Sequence, residues 1–201
     1  MGNAIANAKM RAAIYNPYLD TLGGGERYTM TVANVLKKHG WDVEVAWKNP
    51  KILEWLAVRL GVNLSGVEIV PDISHGTGYD LLFWLSDGSV PLMFAKKNIL
   101  HFQTPFQKVR GRALFNRLKL AKIDNVVCNS QFTKGFIDKE YGVKSEVIYP
   151  PVAVNDIKPL KKEDIILFVG RFSQLQQSKG QDILIDVFKR LKIDKIAELY
   201  N

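Results

Sequence analysis

The sequence predicts an α/β protein built on a doubly wound parallel sheet. Three observations carry that expectation. Short apolar runs alternate with segments of helical periodicity almost from end to end. Two of the runs, "YDLLFWL" and "NILHFQ", are too apolar for an exposed sheet, so both of their faces must be covered. Three glycines, Gly23 to Gly25, stand where the first strand hands over to the first helix.

In chain order, "MRAAIYNPY" reads as the first strand, ended by Pro17. Tyr28, Val32, Val35 and Leu36 recur at i, i+4, i+7 and i+8, one face of a helix that Gly40 closes. "WDVEVAW" is the second strand. Ile52, Trp55, Leu56 and Leu60 mark another amphipathic helix, stopped at Gly61. After the two apolar strands, Leu114, Phe115 and Leu118 give the basic stretch from Arg112 to Lys122 one apolar side. "NVVCNS" is a strand, "QFTKGFIDKEYG" a helix, and "SEVIYPPV" a strand broken by Pro150 and Pro151. "AVNDIKPLKKED" is polar, charged and proline-containing, and reads as a linker. "IILFVGRF" restarts the rhythm as a strand, and Leu184, Val187, Phe188 and Leu191 set a helix face. The expected organisation is a Rossmann-like domain over 1–152, a linker over 153–164, and an α/β unit over 165–201 that is cut off at its first strand and helix.

With 201 residues, 47% of them hydrophobic, the chain can build one sound α/β domain and part of another. No apolar run approaches bilayer-spanning length, and the opening "MGNAIANAKM" lacks the basic region and long apolar core of a signal peptide. Ala6 stands where N-myristoylation wants Ser or Thr. A single cysteine, Cys128, forms no intrachain disulfide and suits a reducing cytoplasm. Twenty-eight basic residues against 20 acidic ones leave a net charge of +8, which favours an anionic partner. Nucleic acid is disfavoured among such partners, because neither aromatic–basic interleaving nor a recognition helix accompanies the charge.

Several chemistries are excluded by pattern. Gly23 and Gly25 fit G-x-G, but the third position of a dinucleotide fingerprint is Tyr28, and "GTG" at Gly76 fails in the same way at Leu81. There is no Walker-type Gly-Lys, no Gly-x-Ser-x-Gly and no Asp-x-Asp, and His39, His75 and His101 stand far apart. No metal or cofactor site is therefore expected. Three candidates remain. The Gly23–Gly25 turn lets backbone N–H groups approach an anion at a helix start, or else supplies a connection that needs positive φ. Arg171, leaving a buried strand with Gly170, and Lys179, before a helix with Gly180, could together hold a diphosphate, or else sit in a solvated loop. His101, ending an apolar strand, is either a satisfied interior group or a hydrogen-bonder to a polar substrate.

Taken together, "GGGER", "HFQTPF", "VVCNSQFTKGFIDKEYGV…VIYPPV" and "VGRFS…KGQDILIDVF" resemble, in that order, the GT-B-fold retaining glycosyltransferases of the group-1/family-4 class. The resemblance spans nearly the whole chain. It implies a two-domain clamp, with an acceptor-side N-terminal domain and a nucleotide-sugar domain after it. Arg171 and Lys179 then neutralise the donor diphosphate, Gly23, Gly24 and Gly25 face the donor, and His101 stands near the transferred sugar. Transfer to a glycan or lipid-linked acceptor retains configuration without a metal. The "NSQFTK" and "YPPV" pair resembles members that act on lipid-linked or cell-surface acceptors.

One part of the family pattern is missing: no two glutamates stand eight residues apart, so the Glu-x7-Glu pair that holds sugar and ribose is not in this sequence. The alternative is a shortened, non-catalytic binding module, and the unfinished unit invites association with another chain. The stretch from Lys108 to Lys122 holds six cations and no acid. Its Arg110, Arg112, Arg117 and Lys119 form either a solvated helix face or a patch that docks the protein on an anionic membrane leaflet.

Overall fold

A computed structural model describes residues 9–154, 157–170, 180–191 and 196–198. Contacts divide the chain into two units, Met1–Val152 and Ala153–Asn201.

The first unit is a seven-stranded sheet in the order β3-β2-β1-β4-β5-β6-β7, with every pairing parallel. Its strands are β1 (Arg11–Tyr15), β2 (Asp42–Ala46), β3 (Val67–Val70), β4 (Leu81–Leu85), β5 (Lys97–Phe102), β6 (Asn125–Cys128) and β7 (Glu146–Val147). The chain builds outward from β1 to β3 and then crosses back to lay β4 on the free side of β1. That reversal makes the β1/β4 boundary the topological switch point, where open α/β sheets place their ligands.

Residues of each strand alternate between two cores, as a period of two requires. Ala12, Ile14, Val43, Val45 and Phe83 join one cluster. Ala13 and Leu82, from the same strands, join another on the opposite face. The first cluster is roofed by α1 (Gly24–Lys38) and α2 (Ile52–Leu60). The third core, around Leu100, Phe102, Cys128 and Tyr141, lies under α4 (Gln131–Tyr141), with Leu120 from α3 (Leu114–Leu120) at its margin.

Local chemistry sets the helix ends. Glu26, three residues past the N-cap Gly23, accepts the Gly23 N–H at 2.7 Å, and Lys37 and Lys38 lie in the last turn, where the macrodipole favours cations. Ser130 caps α4 by accepting the Thr133 N–H at 3.1 Å. Gly61 and Gly142 end α2 and α4 at φ 61° and 69°, a left-handed conformation that a Cβ disfavours. The outer strand β7 has two residues and is followed by Pro150 and Pro151, which keeps that sheet edge short.

Three expectations need correction. Strand β3 has no counterpart in the sequence reading: four residues carrying Glu68 are too short for periodicity to register. Trp55 and Val35 sit at helical spacing with core residues yet are 53% and 47% exposed. The buried side of α1 is set by Glu26, Tyr28, Thr29, Met30 and Ala33, and that of α2 by Ile52, Leu56 and Leu60. The apolar side of α3 also faces outward, and the helix has no buried residue.

In the second unit, β8 (Ile166–Phe168) pairs in parallel with β9 (Ile196–Glu198), and α5 (Gln181–Leu191) carries the expected helix. The strand β9 adds a second strand to the single one read from sequence.

Candidate functional site

The two ends of the large sheet differ in how they use charge. At the amino-terminal ends of the strands, Arg11 pairs with Glu44, Lys96 with Asp80 and Lys97 with Asp124, at 2.7 to 3.0 Å. Asp80 and Asp124 also accept the N–H groups of Arg11 and Asn98. These carboxylates tie strand starts together and are held below their usual range by those contacts. The carboxyl-terminal ends of β1, β2 and β6 lead into the N-termini of α1, α2 and α4.

At that edge, Asn16 follows β1 and is wholly buried. Its Nδ2 donates to Thr29 Oγ1 at 3.0 Å and reaches Glu26 Oε1 at 3.5 Å, while its Oδ1 accepts the Tyr18 N–H at 2.8 Å. The Glu26 carboxylate also accepts the Thr21 hydroxyl at 2.7 Å. The first backbone N–H groups of a helix have no intrahelical partner. Here Glu26 takes the Gly23 N–H, and the amides of Gly24 and Gly25 have no hydrogen-bond partner among the described residues.

None of the three glycines has positive φ; the left-handed residue of this turn is Leu22, at φ 50°. Gly25 faces the end of a flexible side chain rather than backbone. A Cβ there would stand 2.5 Å from Gln103 Oε1, and Gln103 Nε2 donates to the Gly25 carbonyl at 3.3 Å. Asn129, after β6, donates to the Gln103 carbonyl at 3.0 Å. The glycine turn, the exit of β5 and the exit of β6 are thus joined by hydrogen bonds. At the end of β4, the exposed Asp87 carboxylate accepts the hydroxyl and N–H of Ser89, which hold it below the usual range.

His101 lies two residues before Gln103, on the α1 side of β5, with no exposed surface. The Tyr28 ring stacks on it at 4.2 Å and Phe83 flanks it at 5.3 Å. Its Nδ1 faces the Val127 carbonyl at 3.2 Å, so the neutral ring donates there and leaves Nε2 as an acceptor. That Nε2 is the one buried side-chain nitrogen or oxygen without a partner among the described residues. Burial pushes the His101 pKa down to about 4. Tyr28 is fixed in turn by its hydroxyl, which donates to the Ile148 carbonyl at 3.0 Å. Beside it, a groove of about 300 Å³ lined by Val32, Leu36, Phe83, Ile99 and Val127 is nearly all apolar. Groups that could hold a diphosphate do not converge there.

The structure therefore brings Gly23, Gly24, Gly25 and His101 together at one edge, with Asn16, Glu26, Asp87 and Gln103 beside them. Arg171 and Lys179 lie outside the described residues. Arg110, Arg112, Arg117 and Lys119 stand apart from this edge, on and before α3. Among the described residues, no three His, Cys, Asp or Glu side chains are grouped to hold a metal. No helix there is long and apolar enough to cross a membrane. The sequence reading passed over Glu26 as a buried anchor, although a glutamate three residues after an N-cap is a capping signal. Glu26→Ala is expected to destabilise the first unit by about 2 kcal/mol, whereas Glu26→Gln keeps an acceptor and recovers most of that. Urea unfolding followed by tryptophan fluorescence checks both.

No family model matches the sequence, and no curated protein matches it. Among solved structures, the chain resembles a glycosyltransferase from Rickettsia africae ESF-5 with a TM-score of 0.64 at 17% identity. The match covers 95% of this chain and 60% of that one, so the chain spans less than two thirds of the neighbour's length. At that identity the likeness establishes the fold: a parallel α/β sheet of Rossmann type, shared with a glycosyltransferase.

Proposed function

We propose that this chain belongs to a retaining GT-B glycosyltransferase that moves a sugar from a nucleotide-sugar donor to a glycan or lipid-linked acceptor. The observation that most supports this is the glycine turn at the switch point of the sheet. It offers open helix-N-terminal amides to an anion in a fold shared with a glycosyltransferase. The ordered resemblance of "GGGER", "HFQTPF" and "GR…KG" supports the same reading.

In this reading the sugar–phosphate bond breaks with its electron pair leaving on the diphosphate. Negative charge grows on the phosphate oxygens and positive charge on the sugar ring. Arg171 and Lys179 pair with the diphosphate, and the amides of Gly24 and Gly25 point N–H dipoles at the donor. The acceptor oxygen then bonds to the anomeric carbon on the face the diphosphate leaves, and its proton passes to the departing phosphate oxygen. His101 offers Nε2 as an acceptor to a sugar hydroxyl once the Tyr28 ring swings aside, since the ring is closed over in this structure.

The test is donor binding and transfer by the purified chain, with UDP- and GDP-sugars and a lipid-phosphate acceptor pool, beside an Arg171→Ala/Lys179→Ala variant. We expect nucleotide release with product formation. Donor affinity should fall roughly tenfold for each cation removed. A well-folded chain that binds no nucleotide sugar would instead be a binding module that holds an acceptor without transferring to it.

A further inference from the structure

We propose that α3 and the loop before it dock the protein on an anionic lipid surface, with Leu114, Phe115 and Leu118 entering the headgroup–acyl boundary and Arg112 and Arg117 taking a lipid phosphate. The inference does not depend on the sugar-transfer reading.

The observations begin with exposure. Leu114, Phe115 and Leu118 are 73%, 65% and 62% exposed, three large apolar side chains on a seven-residue helix. An apolar helix side turned to water normally marks a contact surface. The inward side of the same segment is satisfied separately, because Leu120 and Ile123 pack against the Phe102–Tyr141 core. The helix is short and has no side-chain N-cap, so by itself it is a marginal helix that an apolar boundary would stabilise.

Charge then selects the partner. Lys108, Arg110, Arg112, Arg117, Lys119 and Lys122 make no ion pair among the described residues. Lys119 lies over the Phe115 ring at 4.7 Å and Lys122 over the Phe94 ring at 5.4 Å. The Lys119 ammonium donates to the Val90 carbonyl at 2.9 Å and is tied back to the fold, whereas the exposed Lys122 keeps its charge outward. Beside α3, a cleft of about 330 Å³ is lined by Arg112, Arg117, Leu120, Tyr141, Gly142 and Val143. Arg112 Nε donates to the Lys139 carbonyl at 2.9 Å, which holds its guanidinium in place at the cleft. An apolar wedge ringed by cations, with a two-guanidinium cleft at its base, fits an anionic bilayer.

The experiment is flotation of the full chain with vesicles of phosphatidylcholine alone and of phosphatidylcholine mixed with phosphatidylglycerol. We expect binding to the mixed vesicles at least tenfold tighter than to the neutral ones, and weaker as salt rises. Phe115→Ser/Leu118→Ser, which leaves charge unchanged, should weaken binding by about tenfold or more. Arg112→Gln/Arg117→Gln should weaken it about 30-fold, at roughly a factor of five per cation. Val58→Ser, at a residue 87% exposed on α2, should bind like the unaltered chain. Circular dichroism confirms that each variant is folded. Equal binding to both vesicle types, no binding to the mixed ones, or an unaffected Phe115→Ser/Leu118→Ser variant would each overturn the proposal. So would binding of a soluble polyanion by a chain that ignores vesicles.

Discussion

Phe102→Ala is expected to lower the unfolding free energy of the first unit by about 3–5 kcal/mol. Phe102 ends β5 with no exposed surface, and its ring lies 4.9 Å from Tyr141 and 6.2 Å from Phe106. Those contacts join the middle of the sheet to α4 and to the loop that leads toward α3. Deleting the ring removes its transfer free energy and leaves a cavity. The walls cannot close it, because Tyr141 is pinned by its hydroxyl, which donates to the Gly88 carbonyl at 2.5 Å. Phe102→Leu keeps most of the volume and should cost no more than about 1.5 kcal/mol. All four tryptophans (Trp41, Trp47, Trp55 and Trp84) lie in the first unit, so their fluorescence in urea reports its unfolding alone. Equal losses for the two variants would mean that packing around this ring does not govern stability.

The adjacent residue predicts a pH effect of similar size. His101 keeps its ring neutral in the folded protein down to about pH 4, whereas the unfolded chain takes up a proton near the ordinary value of 6.5. Across that window the unfolded state binds more protons, so stability rises with pH and is lost as pH falls. The loss reaches about 3 kcal/mol at the acid end of the window. His101→Phe places an apolar ring between Tyr28 and Phe83 and removes the titrating group. Its stability curve should lack this contribution, so the difference between the two proteins should grow steadily below about pH 6.5. Parallel curves would mean that water reaches the His101 ring in the folded state. The carboxylates common to both proteins cancel in that comparison.

Phe102 and His101 also show where sequence reasoning succeeds and stops. "NILHFQ" identified a strand covered on both faces, and the parallel sheet follows from that pattern repeated along the chain. Helix ends at Gly61 and Gly142 were legible because a left-handed residue without a Cβ leaves a local signature. The glycine turn was legible as a strand-to-helix turn, but its contacts were not. Gly25 accepts a hydrogen bond from Gln103, 78 residues away, and positive φ falls on Leu22 instead. Such a contact between distant residues has no local pattern to read.

The sequence by itself determined the class of fold, the order of most elements, the glycine turn and the unopposed positive charge from Lys108 to Lys122. Each is encoded within a few residues, as a period, a breaker or a composition. Tertiary structure alone decided which apolar residues the core uses. Trp55 and Val35 share helical spacing with buried neighbours and still face outward, and Leu114, Phe115 and Leu118 turn a helix side away from the core. It also decided that Tyr28 covers His101. Periodicity marks a helical stripe, but its width and direction depend on which strand lies beneath, and that is settled only when the sheet assembles.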